Sequence, residues 1–104
     1  MKQKAEAVFD TSNVNWSKNT EYNLIFLRAQ ENFANDKLVA RGVVFLNDVY
    51  EALGLPRTRE GQTKGWAMSE HHKRISFGIN GARARTETQI PLSFNIDGEV
   101  LNKL

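Results

Sequence analysis

The sequence predicts an α+β domain: two N-terminal helices packed on a small antiparallel sheet that ends in a C-terminal hairpin. Three observations carry this. Tyr22, Ile25, Phe26, Ala29, Phe33 and Ala34 recur at three- and four-residue spacing, which lines one face of a helix. Ile90, Leu92, Phe94 and Ile96 alternate at period two, the spacing of one face of a strand. Asp97-Gly98 then favours a type I′ turn, so residues 100–104 should return as the partner strand. Helices first and strands second is the order of an α+β fold.

Residues 1–19 carry isolated apolar side chains at Val8, Phe9, Val14 and Trp16 and show no sustained period. They read as a separate arm, either flexible or docked through Phe9 and Trp16 on this or another subunit. Residues 20–104 then form the single domain. The first helix should span residues 20–41, with Asn19 or Thr20 as its N-cap, Glu21 in the first turn and Gly42 as the stop. Leu24 and Leu27 widen its apolar stripe, so this helix is expected to contact material on more than one side. Residues 43–46 are a short apolar run, strand or extended connector. A second helix over residues 46–53 follows, with Asn47 offering an oxygen to its free amides and Val49, Tyr50 and Leu53 pointing inward. Gly54 reads as its left-handed cap and Pro56 prevents continuation.

Residues 56–65 are almost free of apolar side chains and form a surface loop. Trp66 begins the next buried piece, and its ring is expected to pack against Tyr22, Phe26, Val49 and Tyr50. Ile75, Phe77 and Ile79 alternate as one face of a strand, and Asn80-Gly81 is a turn signal. Pro91 has no N–H to donate, which sets its side of the last long strand at a sheet edge.

Composition narrows the function classes. At 104 residues one domain is expected, and the absence of Cys excludes disulfides, thiolate zinc sites and a cysteine nucleophile. No apolar run approaches the ~20 residues of a membrane span. The adjacent His71 and His72 diverge on a strand or a helix and have no third ligand nearby in the sequence, so no metal or cofactor is expected. Residues 61–65, Gly-Gln-Thr-Lys-Gly, lack the first glycine and the strand-to-helix setting of a phosphate loop. Ser69, Ser76 and Ser93 sit in no nucleophile-elbow context.

The net charge is +2, yet residues 41–85 hold eight basic and four acidic side chains. Arg57, Arg59, Lys64, Lys73, Arg74, Arg83 and Arg85 belong to this segment. Their convergence on one face would attract phosphates, with Trp66 and Phe77 available for base stacking if exposed.

The stretch from Ala40 to Trp66, ARGVVFLNDVYEALGLPRTREGQTKGW, resembles the central signature of an uncharacterised family of small phage and prophage proteins. Ala34-Asn35-Asp36, Phe77-Gly78-Ile79 and residues 94–98 resemble it as well. The likeness runs from Tyr22 to the C-terminus and leaves the first twenty residues outside. Family members tend to be acidic and Gly-rich between Trp66 and Phe77, where this chain has Glu70-His71-His72-Lys73-Arg74. The resemblance implies a phage or prophage origin, hence the host-cell cytoplasm or a virion, and supplies no catalytic residues. The expected function is a non-enzymatic interaction protein that binds a phage or host protein, a defence factor among them, or assembles with itself. A nucleic-acid-binding accessory protein using the basic middle segment is the alternative.

Overall fold

Helix α1 (Thr20–Arg41) starts where the Asn19 side-chain oxygen accepts hydrogen bonds from the amides of Glu21 and Tyr22, at 3.0 and 3.3 Å. It stops at Gly42, whose φ of 82° is left-handed and whose N–H bonds the Leu38 carbonyl. The computed structural model of the chain describes residues 5–69, 74–79 and 88–103. Among these, α1 buries Asn23, Leu27, Ala34, Asn35 and Leu38, a stripe that shares Ala34 with the expected one and is rotated away from the rest of it, Phe26 lying at the boundary against the core. Tyr22, Ile25 and Phe33 stand outside, 59–62% exposed. The helix carries apolar residues on two sides, so its spacing alone did not say which side is covered.

Strand β1 (Ala5–Asp10) pairs antiparallel with β4 (Gln89–Phe94), Ala7 opposite Leu92 and Phe9 opposite Ile90. Residues 5–19 therefore pack with the rest of the domain, which corrects the flexible alternative and agrees with docking through Phe9 and Trp16 on the same chain. Phe9 is fully buried, its ring 5.6 Å from Phe26 and 5.5 Å from Trp16. The inward side chains of β1 are Ala5, Ala7 and Phe9, and two alanines make a period-two signal too faint to read. Beyond the strand, the side-chain nitrogens of Asn13 and Asn15 both donate to the Leu53 carbonyl and so cover the end of the second helix.

A second sheet orders β2 (Val43–Phe45), β3 (Lys64–Ala67) and β5 (Gly98–Glu99) with β3 central and both pairings antiparallel. Gly65 lies so close to β2 that a Cβ there would run into the Val44 carbonyl. Helix α2 (Leu46–Leu53) follows β2 directly and ends at Gly54, φ 78°, with the Leu55 N–H returning to the Tyr50 carbonyl. Asp48, not Asn47, closes its first turn by accepting from the Phe45 amide at 3.3 Å.

The expected C-terminal hairpin does not form: β4 pairs with β1, and β5 pairs with β3. A type I′ turn needs positive φ at both central residues, and of the dipeptide only Gly98 has it, at 113°. Asp97 instead commits to the other sheet, donating its N–H to the Gly65 carbonyl at 2.7 Å and accepting from the Ala67 amide at 3.0 Å. The chain then crosses from one sheet to the other and closes with a 3-10 turn at Leu101–Lys103.

Ile90, Leu92, Phe94 and Ile96 all face the core as their alternation predicted; Ile75, Phe77 and Ile79 are buried too, but the strand expected there does not form, because the left-handed φ of 72° at Gly78 breaks the extended run. The last three lie beside β4, where the Ser93 amide donates to the Phe77 carbonyl at 2.9 Å. That bond also explains Pro91. By alternation its nitrogen points to the same side as that of Ser93, away from β1, so the missing N–H costs the β1–β4 ladder nothing.

Buried asparagines hold the passing chain to the helices. Asn23 pairs both ends of its amide with the backbone of Ser17, Asn35 with Ile75 and Asn47 with Thr58. Asn95 does the same for residues 74–76 and also accepts from the Trp66 indole N–H at 3.0 Å. Trp66 is fully buried, but Tyr22, one of its expected neighbours, lies on the outside. Each clip satisfies backbone groups that a helix or ladder would otherwise serve.

Candidate functional site

The predicted basic residues divide among separate settings. Arg57 reaches Glu51 at 2.6 Å, both side chains largely exposed, and Lys64 approaches Glu60 at 4.0 Å. Arg59 is exposed in the same loop, at the start of the 3-10 turn Glu60–Gln62. That loop is placed by Asn47, which holds Thr58, and by Gly61, where a Cβ would run into the Asn47 side chain. Of the three cations in and next to this loop, Arg57 and Lys64 thus stand near carboxylates. Arg74 lies instead in a groove beside Arg28, Glu31, Ser76 and Ile79. Lys73, Arg83 and Arg85 lie outside the described residues, as do His71, His72 and the Asn80-Gly81 turn signal. The aromatic residues assigned to base stacking, Trp66 and Phe77, are fully buried and present no ring to a ligand.

Phe9 and Trp16 are brought together, but on the core of their own chain. Trp16 covers Phe9, and Phe9 stacks on Phe26 at an interplanar angle of 18°. Among the described residues no group of three His, Asp or Glu side chains could hold a metal ion, and no helix is long and apolar enough to cross a membrane. Every buried side-chain nitrogen and oxygen among them has a hydrogen-bond partner.

Two surfaces stand out that the basic-residue pattern did not indicate. One is the outward stripe of α1, with Tyr22, Ile25 and Phe33 exposed and Ala29 between them. Its signal was present in the sequence as a second apolar stripe on one helix. The other is the outer edge of β1, which runs along a groove lined by Tyr50, Leu55 and Pro56. Burial raises the Tyr50 hydroxyl above the usual phenol range, and the nearby negative charge of Glu60 raises it further. Asp10 at the end of β1 is lowered by hydrogen bonds from the Ser12 hydroxyl and amide.

No curated protein and no solved structure matches the chain. A family model does, and it takes in the first twenty residues as well as the rest, in keeping with the place of β1 in the fold: over residues 1–104 the chain belongs to the family of unknown function DUF6353.

Proposed function

We propose that the protein is a non-enzymatic interaction protein of phage or prophage origin, acting in the host-cell cytoplasm by binding a phage or host protein or a second copy of itself. The observation that carries this is the outward stripe of α1. Tyr22, Ile25 and Phe33 hold about 60% of their surface in water although the same helix has a fully covered side. Together they present on the order of 300–400 Å² of apolar surface, the size at which a patch on a small domain tends to be functional. Aromatic residues concentrated in one patch are also what protein interfaces favour.

Nucleic-acid binding has less support. Phosphate affinity grows with the number of cations brought to one path, and Arg57 and Lys64 already face carboxylates. The phage origin rests on the resemblance of the Ala40–Trp66 signature. A tagged chain and its Ile25→Glu/Phe33→Glu variant, used as baits in phage-infected cells at low salt, test the function. The expected result is a partner, or an untagged copy of the chain, held by the wild type and lost by the variant. Equal recovery by both baits overturns the assignment to α1, and recovery of nothing by the wild type overturns the interaction function. Anisotropy with single- and double-stranded DNA and RNA checks the alternative, which requires binding that falls steeply with salt and weakens in Arg57→Ala and Arg59→Ala.

A further inference from the structure

Among the described residues, the outer side of β1 in the β1–β4 sheet has no pairing strand. Ser93 and Asn95 send their amides away from β1, to Phe77 and Ser76. Alternation therefore assigns Phe94, Leu92 and Ile90 to the bonds with Ala5, Ala7 and Phe9, and turns the backbone of Glu6 and Val8 outward. No described residue hydrogen-bonds to that outward backbone, whereas the next outward carbonyl, Asp10, accepts from Asn13 at 2.9 Å. The edge thus offers two N–H and two C=O groups at two-residue spacing. Beneath it lies a groove of about 250 Å³ lined by Ala7, Tyr50, Leu55 and Pro56, with Glu6, Val8 and Thr58 at its rim. The exposed Glu6 carboxylate beside it has no ion-pair partner among the described residues.

We infer that this edge accepts an extended peptide as an added strand, with apolar side chains over the groove and basic side chains on the opposite face beside Glu6. A row of alternating donors and acceptors is matched only by another extended backbone, and the period of two sends successive side chains to opposite faces. The groove thereby selects apolar residues at every second position, and Glu6 selects a cation between them. A second copy of β1 fits less well, because it would bring a further Glu6 and Asp10 to a strand whose described ionisable side chains are both acidic. This site is independent of the α1 stripe.

The probe is a fluorescein-labelled octapeptide of alternating lysine and valine, titrated with the full chain and followed by anisotropy. Two control peptides accompany it: four lysines followed by four valines, and alternating glutamate and valine. The decisive variant is Val8→Pro. Its nitrogen lies on the free edge, so the substitution removes an outward donor and leaves the β1–β4 bonds intact, as Pro91 does on β4. Saturable binding of the alternating lysine peptide is expected, at least tenfold weaker for Val8→Pro and for the block peptide. Equal binding by a Val8→Pro chain with wild-type thermal midpoint, or equal binding of the block peptide, overturns the inference. So does a wild-type dimer in sedimentation that Val8→Pro abolishes, since the edge is then occupied by a second copy. Should Val8→Pro not fold, Glu6→Lys replaces it: this chain should prefer the glutamate peptide, and an unchanged preference overturns the inference.

Discussion

Asn47 is buried, and its side chain is the link between α2 and the loop that carries Arg57 and Arg59. Its oxygen accepts from the Thr58 amide and its nitrogen donates to the Thr58 carbonyl, both at 2.8 Å. Asn47→Ala removes both bonds. Thr58 is exposed, so water can reach part of what is left, and each bond is worth about 1 kcal/mol. The expected loss is about 2 kcal/mol, a large share of the ~5–15 kcal/mol available to a domain. In urea, with a slope of roughly 1–1.5 kcal/mol/M for this size, the midpoint should fall by about 1.3–2 M. Gly61 sharpens the test, because its added methyl in Gly61→Ala would run into the Asn47 oxygen. Gly61→Ala should therefore be costly in the wild type and much less so in the Asn47→Ala background, a coupling that a double-mutant cycle measures. Asn47→Ala within 0.5 kcal/mol of wild type, or strict additivity with Gly61→Ala, would refute the reasoning.

Other outcomes follow from the same packing. Trp66→Ala should cost ~3–5 kcal/mol by denaturation, since the ring is fully buried and its N–H is shared between the carbonyl and side-chain oxygens of Asn95. Trp16→Ala should cost about 2–3 kcal/mol, because Trp16 is half-buried and covers Phe9; a value near zero would return residues 11–19 to the status of a loose arm. Tyr50 is raised by burial and by Glu60, so its unfolded form ionises first: stability holds below pH 10, falls as pH rises from there toward the folded value, and the fall should be smaller in Tyr50→Phe when urea curves are compared from pH 9 to 11. Ser12→Ala should move the Asp10 carboxyl midpoint upward in an NMR titration, because it removes the Ser12 hydroxyl, the larger of the two donors that hold it down, and leaves the backbone N–H in place.

Where local physics decides an element, the residues announced it. Helix α1 over Thr20–Arg41 and helix α2 over Leu46–Leu53 coincide with their predicted spans, because Asn19, Gly42 and Gly54 act within one turn of their own positions. The inward faces of residues 75–79 and 90–96 were legible for the same reason. Pairing was not. Asp97-Gly98 suggested a local hairpin, and the bonds from Asp97 to Gly65 and Ala67 that prevail over it join positions thirty residues apart. Nor does the sequence distinguish an asparagine that clips a loop from one in solvent, so Asn23, Asn35 and Asn95 gave no signal and Asn47 was read as a helix cap where it holds Thr58. The same gap explains the candidate site. The charges of Arg57 and Lys64 are plain in the sequence, but their carboxylate neighbours and the free side of β1 depend on how the chain is folded back.

The pairing of β1 with β4 has a consequence for how the protein is made. Two strands separated by about eighty residues must meet, and closing a loop of that length costs on the order of 4 kcal/mol before any ladder bond repays it. The helices and the β2–β3 pair can form from nearby residues, but the larger sheet waits until Gln89–Phe94 has left the ribosome. Until then Phe9 and Trp16 have no sheet to close over them, and the strand made first stays open along both sides. The nascent chain is most exposed to wrong partners, chaperones or another copy alike, during the interval between its first strand and its fourth.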